Sequence, residues 1–165
     1  MEDRPRILVV EPNKTALSVL ARRLSDAGFR VATADSGSGA IAELHRVPVD
    51  LLLAEISMPR MSGAELARLI RSHVQLADLP IMLITGRSAP KSAVLAYEAG
   101  ADDVILKPFH FEVLVARIER RIARMRAVEQ LAQDKAALDA RVVERAIQIG
   151  ELKEQLAEAQ ARARA

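Results

Sequence analysis

Five short, nearly unbroken apolar runs mark the front of the chain, at residues 7–10, 31–34, 51–54, 81–84 and 104–106. Continuous apolar runs of this length suit strands that are buried on both faces. Between them the apolar residues recur at helical spacing. Residues 15–27 carry Leu17, Val19, Leu20 and Leu24 on one face, with Asn13 as a cap before them and Gly28 as a stop. Similar patterns cover 39–46, 63–72 and 90–99, the last closed by Gly100, and a final helix opens near Phe111. Strand and helix alternate five times. The pattern predicts an α/β, doubly wound domain whose parallel sheet is covered on both faces.

Behind Phe111 the grammar changes. All seven prolines lie at or before Pro108, and Gly150 is the one glycine beyond Gly100. Without turn punctuation the back of the chain reads as one long helix or two. The expected division is a globular domain over 1–126 and a helical extension over 127–165.

Composition narrows the class. Half of the chain is apolar and 28% charged, as in soluble globular proteins. No run of eighteen apolar residues spans a membrane. The opening Met-Glu-Asp-Arg-Pro-Arg lacks a signal peptide's apolar core, so a cytoplasmic protein is expected. Zero cysteines removes disulfides and thiolate chemistry. A net charge of +2, with three Phe and one Tyr, gives no footprint for nucleic acid.

In a parallel sheet the ligand site lies beyond the carboxyl ends of the strands. Those ends hold Glu11-Pro12, Glu55, Thr85 and Lys107. Four segments carry them in order: ILVVE ending at Glu11, DLLLAEISMPRMSG from Asp50 to Gly63, PIMLITG from Pro80 to Gly86, and GADDVILKPF from Gly100 to Phe109. Together, over about three quarters of the chain, they resemble the four signature segments of the response-regulator receiver family. The resemblance implies a flavodoxin-like, five-stranded sheet of order 2-1-3-4-5. It also implies a chemistry. An aspartate ending the third strand takes a phosphoryl group from a histidine kinase, and two acids after the first strand help hold Mg²⁺. A Ser/Thr and a Lys then bind the phosphoryl oxygens, and an aromatic residue on the fifth strand reports the change.

The chain departs from that pattern in three places. The acceptor position holds Glu55, Pro12 stands where the second acid belongs, and Val104 occupies the switch position. Thr85 and Lys107 match, as does the Lys107-Pro108 step, usually a cis peptide in receivers. Glu55 carries its carboxylate one methylene farther out, and in-line transfer tolerates about 1 Å of misplacement only at on the order of 100-fold loss. Ordinary phosphotransfer is therefore not expected. Glu55 is open to two readings: a mimic of the phosphorylated state reaching toward Thr85 and Lys107, or an inert acid. No cofactor is expected, and Mg²⁺ would be held weakly at best, by Glu11, Glu55 and the Ser57 backbone.

Other chemistries fall away. His45, His73 and His110 lie on different elements without ligand spacing. Gly37-Ser38-Gly39 looks like a fragment of a phosphate loop, but no Gly-Lys-Ser/Thr follows.

The extension has its own pattern. With Val128 as heptad position a, the a and d positions are Val128, Leu131, Lys135, Leu138, Val142, Arg145, Ile149, Leu152, Leu156 and Ala159. Eight of these ten are apolar, which predicts a coiled-coil seam. Lys135, Arg145 and an Asp134–Asp139 meeting in a parallel pair weaken it. A single amphipathic helix folded back, or a frayed tail, is the alternative. Steps of three through Met125, Val128 and Leu131 break the seam's rhythm near Met125. Asp103 and Arg117 are a further candidate pair across a two-fold.

The reading is thus a pseudo-receiver signalling protein, not an enzyme, that dimerises and acts by binding partners. A histidine kinase or another signalling protein is a possible partner, and nucleic acid and membrane are not. The alternatives are a receiver still phosphorylated by a kinase, controlling an effector through the coil, and a structural scaffold.

Overall fold

A computed structural model describes residues 4–86 and 90–164. The elements run β1 (Arg6–Val10), α1 (Lys14–Asp26), β2 (Arg30–Ala34), α2 (Gly37–Arg46), β3 (Leu51–Glu55), α3 (Gly63–Ser72), β4 (Ile81–Gly86), α4 (Pro90–Glu98), β5 (Asp103–Lys107) and α5 (Phe111–Arg164). The strands form one parallel sheet of order β2-β1-β3-β4-β5. Both fold class and strand order are those expected.

Successive side chains of a strand face opposite ways, so each central strand feeds two cores. Leu8, Leu52 and Leu83 pack with Leu44 of α2, Leu66 and Ile70 of α3 and Ala96 of α4. Ile7, Val9, Leu53 and Met82 pack on the other face with Leu24 of α1 and Leu114, Ile118 and Ile122 of α5. Both sets are buried, which is why the runs read as unbroken. Each fully buried Leu or Ile contributes roughly 1.5–3 kcal/mol.

Helix boundaries follow their caps. Asn13 Oδ1 accepts from the Ala16 amide at 3.0 Å, which starts α1 at Lys14, one residue earlier than expected. Ser36 Oγ accepts from the Gly39 amide at 3.2 Å, so α2 opens at Gly37 rather than at residue 39. The Gly37-Ser38-Gly39 stretch is thus the first turn of a helix. Ser62 and Glu65 form a reciprocal capping box at the start of α3. Gly28 and Gly100, both at φ +98°, reverse the chain after α1 and α4.

Arg71 ties two turns together at the end of the sheet where β4 and β5 begin. It donates to Gly100 O at 3.0 Å, Ala77 O at 2.8 Å, Leu79 O at 2.7 Å and Asp102 Oδ2 at 2.9 Å. Asp102 Oδ2 also accepts from the Ile81 amide at 2.8 Å.

The chain divides into two compact units, Met1–Ala123 and Arg124–Ala165. In the second, every described residue from 126 onward is helical and exposed. Among the described residues no helix is long and apolar enough to cross a membrane.

Candidate functional site

Parallel pairing brings the strand ends to one edge of the sheet. Val10 is in register with Ala54, Glu55 with Ile84 and Thr85 with Leu106. Glu11, Glu55 and Thr85 are the buried polar residues at this edge. Glu11 leaves β1 with its amide on Ala34 O, and its Oε1 accepts from the Asn13 amide at 2.9 Å. Glu55 Oε1 accepts from the Ser57 amide at 3.1 Å.

Lys107 joins the two acids. Its Nζ lies 2.6 Å from Glu55 Oε2 and 3.5 Å from Glu11 Oε2. Partial burial pulls the Lys107 ammonium down. The hydrogen bond and charge of Glu55, with Glu11 behind them, overcome that pull and hold its pKa above the ordinary lysine value. Thr85 is buried beside this cluster, but the Glu55 carboxylate bonds Ser57 and Lys107 and does not bond the Thr85 hydroxyl.

The donor set fits Mg²⁺ poorly. That ion asks for near-octahedral oxygen ligands, usually one or two carboxylates plus other oxygens. Here Pro12 offers no carboxylate, and the two that remain both face one ammonium. Among the described residues no group of three His, Asp or Glu is placed to hold a metal.

Val104 is buried in the core beside α4, so the middle of β5 is aliphatic. A half-open hollow of about 210 Å³ lies between β5 and α5, lined by Val104, Leu106, Phe109, Val113 and Arg117 among others. None of the strand-end acids borders it, so it is separate from the cluster. The Lys107–Pro108 peptide is cis.

Residues 7–119 match the family model described as the response regulator receiver domain. The chain belongs to the response-regulator receiver family. The receiver is 38% identical over 119 residues to response regulator MprA of Mycobacterium leprae, covering 72% of this chain and 51% of that one. It is 34% identical over 121 residues to the DNA-binding response regulator MtrA of Mycolicibacterium smegmatis, covering 73% and 52%. Among solved structures it resembles the receiver domain of a signal transduction histidine kinase from Syntrophus aciditrophicus. That likeness has 31% identity and a TM-score of 0.68, over 72% of this chain and 90% of that one. The chain spans about half the length of the curated relatives it matches.

The remaining expected residues are placed as follows. Asp103 Oδ1 and Arg117 Nη1 meet within one receiver at 3.3 Å, and the same nitrogen donates to Val104 O. Val128, Leu131, Leu138, Val142, Ile149, Leu152 and Leu156 lie exposed along α5. His45 and His73, on α2 and at the end of α3, bring their rings edge to face at 5.8 Å between centroids. Sequence reasoning missed the Arg71–Asp102 clamp and the Asn13 amide on Glu11. The clamp has no local signal, since it depends on which loops the sheet brings together, whereas the Asn13–Glu11 contact spans only two residues in the stretch that opens α1.

Proposed function

We infer that this receiver works in two-component signalling as a pseudo-receiver, through protein contacts rather than turnover of an acyl phosphate. The observation that carries the reading is Lys107 bridging Glu55 and Glu11. In the ordinary cycle an aspartyl phosphate recruits the lysine. Here a resident carboxylate does so, and charge-assisted contacts of this kind are short and directional. The absence of a bond to Thr85 makes the mimicry a half-engaged one, which rests on Lys107. Pro12 and the extra methylene of Glu55 support loss of phosphotransfer.

The proposal extends to assembly and place. Residues 1–126 act as the receiver, and 127–165 dimerise through the seam of Val128, Leu131, Leu138, Val142, Ile149, Leu152 and Leu156. The protein acts in the cytoplasm, without catalysis of its own, and its partners are a second copy and a kinase or other signalling protein. A net charge of +2 gives these residues no footprint for nucleic acid, and DNA binding is said only of the relative that is named for it.

Acetyl phosphate with Mg²⁺, read by intact mass spectrometry, tests the reading. The expected result is an unmodified chain. An adduct of one phosphate that disappears in Glu55→Gln would overturn it in favour of a phosphorylated receiver.

A further inference from the structure

The extension carries a second apolar face that the a/d seam leaves unexplained. Val143 and Ile147 are 60% and 58% exposed, as open as the seam residues, yet they occupy heptad positions b and f. Ala136, Ala140 and Gly150 continue their line at alternating steps of four and three, which is the spacing of a packing stripe. At 3.6 residues per turn the centres of the two stripes lie about 150° apart, so one neighbour cannot cover both.

The composition of the second stripe argues against a solvated face. β-Branched residues and glycine are poor helix formers, and an exposed position favours Ala, Glu, Lys or Arg. Val143, Ile147 and Gly150 gather on one line of the helix instead. At Gly150 a Cβ would meet nothing within 4 Å in the single chain, so nothing in that chain calls for glycine there. A second helix brought close to this line would. Residues that are apolar on two faces belong to a helix with more than one helical neighbour.

We propose that residues 136–150 pack antiparallel, through this second face, against another copy of the chain already paired by the a/d seam, so that seam dimers join side by side. Charge decides the direction. In a parallel arrangement Asp139 would face the partner's Glu144, a repulsion made twice. In the antiparallel one, Val143 stands level with the partner's Ile147 and Ala140 with the partner's Gly150. Asp139 then comes close to level with the partner's Lys153, an attraction made twice. Against it stands one meeting of Glu144 with the partner's Glu144, and Arg141 lies one turn away on the same helix to soften it. The small residues let the two backbones approach closely.

This inference rests on the seam dimer proposed above, and the experiment separates the two. Sedimentation equilibrium of the full chain over a wide concentration range should show two chains passing to four and then to larger even-numbered assemblies. Val143→Glu with Ile147→Glu should hold the mass at two chains while helicity by circular dichroism stays the same. Gly150→Ala, which favours the helix, should weaken association beyond two chains at least several-fold. A wild-type chain that stops at two copies, or a double variant that still reaches four, overturns the second face. Leu138→Glu with Leu152→Glu tests the seam itself: an unchanged mass there refutes the dimer reading and leaves the second face judged on its own variants.

Discussion

A Cβ at Gly63 would lie 2.5 Å from the Glu55 carbonyl oxygen and 3.0 Å from Ile56 Cα. Both are backbone atoms that cannot swing aside, so the first residue of α3 fixes how closely that helix approaches the end of β3. Gly63→Ala should destabilise the receiver by about 1–3 kcal/mol, the usual range for overpacking. Denaturant unfolding measures it. A midpoint equal to that of wild type would mean that α3 shifts without resistance.

Lys107 gives the receiver an alkaline limit. Its folded pKa is raised, so its contribution to stability is whole below the unfolded value of about 10.4 and is lost as pH climbs through the folded value. The difference in unfolding free energy between wild type and Lys107→Met should be flat from pH 7 to 9 and shrink above about pH 10.4. The ammonium is nearly half exposed, so its attraction is worth on the order of 1 kcal/mol. A difference that persists undiminished at pH 11.5 would assign the lysine's effect to packing.

Glu55→Gln removes the charge that holds Lys107 while keeping the shape of the side chain. If the contact sets the signalling state, self-association or partner affinity should change by several-fold in that variant. Full insensitivity of both would make Glu55 an inert acid.

Restoring the missing acid should reopen the cation chemistry. Pro12→Asp together with Glu55→Asp adds a carboxylate and shortens the one that reaches Lys107. Titration with Mg²⁺ or Mn²⁺ is expected to show binding to this variant well above that of wild type. Equal, negligible binding to both would place the defect elsewhere than at these two positions.

Truncation after Arg126 should leave a monomer at concentrations where the full chain associates. Several seam residues, each contributing roughly 1.5–3 kcal/mol if fully buried, outweigh exposed ion pairs at about 0–1 kcal/mol. A truncated receiver that dimerises as well as the full chain would move the interface onto the receiver.

The sheet was legible because its central strands are buried on both faces and so leave unbroken apolar runs, as Leu51 to Ala54 do in β3. Helix starts were less legible. Gly37 and Ser38 fell outside the expected helix, and the Ser36 cap draws them into its first turn. The strand-end acids were reached by placing the site at the carboxyl ends of the strands, and the family's segments gave them roles, but burial of Glu11 and Glu55 has no signature in spacing. The bond from Lys107 to both acids, and its absence at Thr85, depended on side-chain geometry. His45 and His73 lie far apart in sequence and meet because α2 and α3 cover the same side of the sheet.

The Asp103–Arg117 pair carries a consequence for any two-fold contact on that face. Each receiver already satisfies its own Arg117, through the Asp103 carboxylate and the Val104 carbonyl. Crossing these partners between two molecules would be an exchange: two internal contacts dissolve for every two that form. The tally of charges in contact stays constant, and the sign of the free energy passes to whatever apolar surface closes around them. Such a face is ready for a swap of partners, with Arg117 Nη1 already engaged at home when a newcomer arrives.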